Sequence, residues 1–158
     1  MANIQEVIGS GSLNFEEITA PHFLLGLLSA FDNRYQAKAD NFFEEISWKQ
    51  FFAIISIGLC RESPTIKELA EIMGSSHQNV KQILNKLEKK GYIRIVSDEK
   101  DKRKQRILLT EKTVSFEEEH AAGSQMIINK IFENIDADDI KITINTIMKM
   151  EENLEKIK

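Results

Sequence analysis

The sequence predicts a mainly α-helical protein with one small β-hairpin, and three observations carry that expectation. Only 2 Pro and 7 Gly punctuate the 158 residues, too few for a many-turned β sandwich. Hydrophobic residues make up 42% and charged residues 29%, enough to fill a core and unlike a disordered chain. Apolar residues recur at three- and four-residue spacing along most of the chain and give way to strand-type runs in one place, between Tyr92 and Leu109. A chain of 158 residues fits one compact unit or two tightly merged ones, at about 100–200 residues per domain.

Residues 1–20 are mixed in character and read as a partly flexible N-terminal segment, with Gly9-Ser10-Gly11-Ser12 as its joint. A first helix opens at Pro21, since proline's missing donor is not needed at the first helical position. Leu24, Leu27, Leu28, Phe31, Tyr35 and Phe42 form its apolar stripe over roughly six turns. Ser47-Trp48-Lys49-Gln50 reads as a capping box, and the run Phe51 to Leu59 behind it is apolar nearly all round, which predicts a central buried helix.

Thr65-Ile66-Lys67-Glu68 repeats the box after Pro64, with Ile66, Leu69, Ala70 and Met73 facing inward and Gly74 ending the short helix. Ser75 or Ser76 caps the next, whose inward face is Val80, Ile83, Leu84 and Leu87 before Gly91 closes it. Two helices joined by a short glycine-containing turn have the layout of a helix-turn-helix. Tyr92–Val96 and Gln105–Leu109 then read as strands around a polar tip from Ser97 to Lys104. A helix-turn-helix followed by a charged hairpin is a winged helix, whose second helix enters the major groove of DNA while the hairpin reaches the flanking backbone or minor groove.

After Thr110, a cap candidate, two helices remain. One carries Ile127, Ile128, Ile131, Phe132 and Ile135; the other, opened by Asp136 with Asp138 and Asp139 near its positive end, carries Ile140, Ile144, Ile147, Met150, Leu154 and Ile157. With the long first helix they form a bundle within the chain or bury their stripes against a second copy.

The formal charge of −4 argues, as a sum, against nucleic acid, because phosphate contacts need Lys and Arg. The distribution reverses that inference. Between Ser76 and Lys112 stand 11 basic and 5 acidic residues, a net of +6, while the remainder holds 10 basic and 20 acidic residues, a net of −10. The excess lies on the recognition helix and wing, and the acidic remainder would repel DNA elsewhere. On the second helix, His77, Gln78, Asn79, Lys81, Gln82 and Asn85 project away from the core; Gln and Asn can pair bidentately with adenine and Lys can donate to guanine.

These segments resemble the MarR family of winged-helix transcriptional regulators. The resemblance lies in Gly91-Tyr92-Ile93-Arg94, Asp98-Glu99-Lys100-Asp101-Lys102-Arg103 and Leu109-Thr110-Glu111-Lys112, with Thr65 to Ala70 and Leu84 to Gly91 upstream. It is strong from about Ser47 to Lys112 and only architectural in the flanking helices. It implies that Arg103, oriented by Asp101, enters the minor groove. It also implies a homodimer that binds a palindromic operator and leaves it when a small ligand or oxidant acts. The expected organisation is then a winged helix-turn-helix DNA-binding lobe over residues 46–112, flanked by long N- and C-terminal dimerisation helices at 21–45 and 113–158. The wing departs from the family in its high Lys content, and Lys86 stands where an Arg is frequent; neither threatens phosphate binding, although Lys lacks the bidentate fork.

The candidate DNA-contacting residues are Ser75, Ser76, His77, Gln78, Asn79, Lys81, Gln82, Asn85 and Lys86 on the recognition helix, and Lys100, Asp101, Lys102, Arg103, Lys104 and Arg106 on the wing. No cofactor, metal site or catalytic residue is expected. The chain has a single cysteine, Cys60, which reads as a buried inert thiol at the end of the central helix. His22, His77 and His120 lie far apart with no second cysteine. Glu117-Glu118-Glu119 reads as a solvated helix face. Phe23, Phe31, Tyr35, Trp48, Phe51 and Phe52 lie where the family keeps a ligand pocket, and read as core. No signal-type N-terminus or membrane-length apolar run is present, so a soluble cytoplasmic protein with no membrane partner is expected.

The expected function is a sequence-specific double-stranded DNA-binding regulator, a dimeric repressor released by a small ligand or other signal. The alternatives are a winged-helix protein-interaction module, and a redox- or metal-sensing regulator acting through Cys60 or the histidines.

Overall fold

The computed structural model describes residues 18–157. The Gly9–Ser12 joint lies outside the described residues. The described elements are α1 (Ala20–Asp40), α2 (Trp48–Gly58), α3 (Ile66–Ile72), α4 (His77–Lys89), β1 (Ile93–Ser97), β2 (Gln105–Leu109), α5 (Glu111–Ile131) and α6 (Ala137–Leu154). The mainly helical winged fold is the one the sequence predicts. The chain divides into two compact units between Leu109 and Thr110.

In the first unit, α1 has Pro21 in its opening turn and ends at Asp40, so Phe42 lies beyond the helix whose stripe it was expected to close. Phe42 donates its N–H to Ala39 at 3.0 Å, and Asp40 accepts from the Trp48 amide, one of the orphan donors that open α2. The loop between α1 and α2 is anchored by buried Phe43 and Ile46.

The Ser47 capping box forms as predicted, with Gln50 N–H to Ser47 Oγ at 3.3 Å and Ser47 N–H to Gln50 Oε1 at 3.1 Å. Helix α2 buries Phe51, Ala53, Ile54 and Ile57, and the buried Ser56 hydroxyl is satisfied by the Phe52 carbonyl at 2.7 Å. Leu59, counted into the apolar run, is instead the exposed C-cap residue. Cys60 is half-buried rather than buried, its Sγ donating to the Ser56 carbonyl at 3.2 Å.

The second capping box also forms: Thr65 Oγ1 accepts from the Glu68 amide at 3.2 Å and Glu68 Oε2 from the Thr65 amide at 2.7 Å. Helices α3 and α4 both end in a left-handed glycine, Gly74 at φ +56° and Gly91 at φ +81°. In each case the following residue, Ser75 or Tyr92, bonds five residues back to Ala70 or Leu87 at 3.0 Å, the Schellman arrangement that satisfies orphan carbonyls. Of the two serines offered as cap for α4, Ser76 is the one used. Val80, Leu84 and Leu87 on α4 are fully buried, together with Leu69 of α3.

The hairpin is antiparallel, pairing Ile93 with Leu109 through to Ser97 with Gln105. One strand-like contact was not foreseen: Thr65 bridges to Arg106, and Ile107 donates to the Pro64 carbonyl at 3.0 Å. This edge is too short to show as a hydrophobic period. It attaches the wing to the start of α3.

In the second unit, Thr110 and Asp136 take the N-cap positions of α5 and α6, but neither side chain makes a cap hydrogen bond. Asp138 and Asp139 occupy the first turn of α6, where the helix dipole favours them. Ile135 lies in the joint after α5 rather than on the helix, close to Asn134 at φ +60°. Helix α5 buries Thr113 and Phe116, and α6 buries nothing.

Candidate nucleic-acid interface

The amphipathic pattern of α4 separates its two faces completely. Val80, Ile83, Leu84 and Leu87 point into the core, while His77, Gln78, Asn79, Lys81, Gln82, Asn85 and Lys86 are exposed. At the start of the helix the two serines have separate tasks. Ser76 Oγ accepts the Asn79 amide at 3.2 Å, and half-buried Ser75 accepts from Asn79 Nδ2 at 2.9 Å, which orients the Asn79 carboxamide.

The wing tip is organised by two aspartates. Asp101 holds Arg103 in a fork, with Nε at 3.1 Å and Nη2 at 3.3 Å, and also receives the Arg103 amide. The guanidinium beside it holds the Asp101 carboxyl below the usual carboxylate range. The Arg103 side chain is nevertheless 91% exposed, a cation oriented by its partner yet open to a ligand.

Asp98 stands at the base of the tip and is buried. Its Oδ1 accepts the Lys100 and Asp101 amides at 2.8 Å each, while Oδ2 accepts from Arg106 Nε at 2.6 Å. The Arg106 guanidinium, donating through Nε, and the two amides hold the Asp98 carboxyl far below its ordinary range. Glu68 is likewise lowered, chiefly by the Thr65 amide and hydroxyl.

A groove of about 620 Å³ brings α4 and the wing together: His77 and Lys81 from α4 share it with Arg103 and Lys104 from the wing and with Lys67 and Glu71 of α3. Lys100 and Lys102 are exposed outside that groove. Arg106 is half-buried at the wing base, among protein acceptors.

The sequence does not signal the parts that Asp98 and Ser63 play in organising the wing, and it signals Glu68 only as the partner of Thr65 in a capping box. For Asp98 only the local turn is legible, because an aspartate before a polar turn readily accepts amides two and three residues on. Glu88, whose role the sequence does not signal, accepts the Ile95 amide at 2.8 Å and ties β1 to α4.

A second cleft, of about 370 Å³, lies beside α1 and α2 and extends to the start of α4. Tyr35, Trp48 and Phe52 line it, as do Ser75 and Asn79. Tyr35 meets Trp48 edge-on with ring centres 4.6 Å apart, and burial pushes its phenol up. Of the six aromatics read as core, Phe51 is buried, whereas these three border an opening and Phe31 is 52% exposed. Among the described residues no three His, Cys, Asp or Glu side chains gather as a metal site would require, and no helix is long and apolar enough to cross a membrane.

Residues 57–104, the end of α2 through the wing tip, match the family model of the MarR family. None of the curated proteins matches the chain. Among solved structures, a MarR/EmrR family transcriptional regulator from Acinetobacter sp. ADP1 is similar at 17% identity and a TM-score of 0.78, over 89% of this chain and 100% of that one. Streptococcus pneumoniae FabT, solved in complex with DNA, is 25% identical with a TM-score of 0.63, over 89% of this chain and 100% of its own. The S. aureus MepR-DNA complex is 19% identical with a TM-score of 0.71, over 81% and 95% respectively.

Proposed function

We propose that this chain, whose helix-turn-helix and wing are of the MarR family, is a sequence-specific double-stranded DNA-binding transcriptional regulator that works as a homodimeric repressor. The observation that carries the proposal is the groove in which the exposed polar start of α4 faces Arg103, held by Asp101 and 91% exposed. In this mechanism α4 reads base edges in the major groove through Gln78, Asn79, Lys81, Gln82 and Asn85. Ser75, Ser76, His77 and Lys86 contact the backbone, Lys100, Lys102 and Lys104 bind phosphates, and Arg103 enters the minor groove. The action is occupancy of an operator, in the cytoplasm, with no chemical step.

The homodimer accounts for the apolar side chains that α5 and α6 leave exposed, among them Met126, Ile128, Ile142, Ile144 and Met148. Two recognition helices would then lie about one DNA turn, ~34 Å, apart, and the operator would be an inverted repeat. The aromatic cleft at Tyr35, Trp48 and Phe52 is the place for a small effector. Because Ser75 and Asn79 form part of its wall, an occupant would act directly on the first turn of the recognition helix.

Selection from a random duplex library tests the proposal, with enrichment of an inverted repeat and steeply salt-dependent binding as the expected result. Arg103→Ala should weaken binding to the selected duplex by about 1–3 kcal/mol and leave the dimer intact in sedimentation. Failure to enrich any sequence would instead favour a protein-interaction module.

A further inference from the structure

Arg106 differs from every other cation on the wing. Lys100, Lys102, Arg103 and Lys104 are exposed, whereas the Arg106 side chain is 26% exposed and its donors are shared among acceptors on three parts of the fold. Nε donates to Asp98 on the wing at 2.6 Å; Nη1 donates to the Ser63 carbonyl before α3 at 2.9 Å and to Glu68 of α3 at 3.4 Å. Two of these acceptors also hold other donors, and the third adjoins one that does. Asp98 gathers the Lys100 and Asp101 amides and so shapes the turn that carries Arg103. Glu68 Oε2 takes the Thr65 amide and hydroxyl at the start of α3. Ser63 precedes Pro64, whose carbonyl receives the Ile107 amide. Two carboxylates lie against this one guanidinium, so its charge is matched within the fold.

We infer that Arg106 is a positioning residue: by bridging Asp98, Ser63 and Glu68 it fixes the wing against the helix-turn-helix and so places Arg103, without contacting DNA itself. The inference rests on the DNA-binding function proposed above and assigns Arg106 a different part in it from Lys104 and Arg103. Guanidinium geometry is essential to this part, because an ammonium supplies a point charge but not a planar fork divided between acceptors on different elements.

Arg106→Lys separates the two roles, because it keeps the charge and removes the fork. Affinity for the duplex selected by the wild-type protein is measured against salt, with Lys104→Gln as the phosphate-contact reference, which should lower the salt slope by about 0.9. Arg106→Lys is expected to bind about tenfold more weakly with an unchanged slope. Full affinity in Arg106→Lys, or a slope reduced in Arg106→Gln as in Lys104→Gln, would overturn the inference. A second arm needs no DNA: amide exchange at Lys100, Asp101 and Ile107 should quicken in Arg106→Lys while Leu84 and Leu87 amides keep their protection. If the wild type selects no duplex, the DNA-binding function fails and this arm alone decides, unchanged wing exchange overturning the inference. Should Arg106→Lys not fold, Asp98→Asn breaks the same bridge from its other end and is measured in the same way.

Discussion

The winged helix and the C-terminal helix pair dispose of their apolar side chains in opposite ways. Val80, Leu84, Leu87, Tyr92, Ile93 and Ile107 of the winged helix are completely buried. Helix α6 has no buried residue, and Ile142, Ile144, Met148 and Leu154 along it are between 51% and 62% exposed. The winged helix is therefore complete within one chain: it has an apolar centre, two capping boxes, two glycine stops and a network of ion pairs around the wing. Among the described residues the C-terminal pair leaves its apolar side chains uncovered, which suits the homodimer proposed above. Soluble monomers rarely leave large contiguous apolar patches exposed.

The largest effect should come from charging that face. Ile144 and Met148 are one helical turn apart on α6, so Ile144→Lys with Met148→Lys places two cations in the proposed interface. Sedimentation should show a homodimer for the wild type and a monomer for the double variant at the same concentration. A dimer that survives both charges would place the interface elsewhere and end the comparison as drawn. Next in size, Leu84→Ala removes a side chain with no exposure from the winged helix and should cost about 2–5 kcal/mol in denaturant unfolding. Leu59→Ala, at an 80% exposed position, should change stability by less than about 0.5 kcal/mol.

The same contrast explains what could be read from the sequence. Helix starts were legible where the side chain itself makes the cap, as at Ser47, Thr65 and Ser76, and stops where Gly74 and Gly91 take positive φ. Local chemistry decides both, so a few neighbouring residues suffice. Phe42, Leu59 and Ile135 fall outside the helices that their spacing predicts, because spacing continues past the point where a helix ends, and the end is set by demands elsewhere such as Asp40 turning to the Trp48 amide. The exposed polar face of α4 and the Asp101–Arg103 pair were also visible, one by periodicity and the other by family resemblance. The Arg106 bridge was not. Its acceptors Ser63 and Glu68 are 43 and 38 residues away in sequence, and nothing local distinguishes a wing arginine that faces solvent from one that faces carboxylates.

A finer comparison sets two glycines against each other. Gly91 ends α4 at φ +81°, where any side chain is strained, so Gly91→Ala should destabilise the winged helix by about 1–2 kcal/mol. Gly26 lies within α1, where a Cβ would meet nothing within 4 Å, so Gly26→Ala should stabilise by about 0.5–1 kcal/mol through helix propensity alone. Thermal unfolding of the two variants should therefore shift in opposite directions. A shared sign would mean that the strain assigned to the Gly91 stop is not real.

The last effect concerns the wing and depends on pH. The Asp98 carboxyl, held by Arg106 and by the Lys100 and Asp101 amides, is lowered far below the value it has in an unfolded chain. A group lowered in this way adds stability that is fully present above the unfolded value, about 3.9 for aspartate, and is lost progressively as pH falls below it towards the folded value. Protonation removes the charge that Arg106 faces. Asp98→Asn keeps the side-chain carbonyl but has no such charge at any pH. The difference in melting temperature between wild type and Asp98→Asn should therefore be constant and largest from neutral pH down to about pH 5, then shrink steadily in more acid solution. A wild-type advantage that did not change between pH 5 and pH 2.5 would mean that the Asp98 charge has no part in holding the wing, and that its two amide contacts alone are enough.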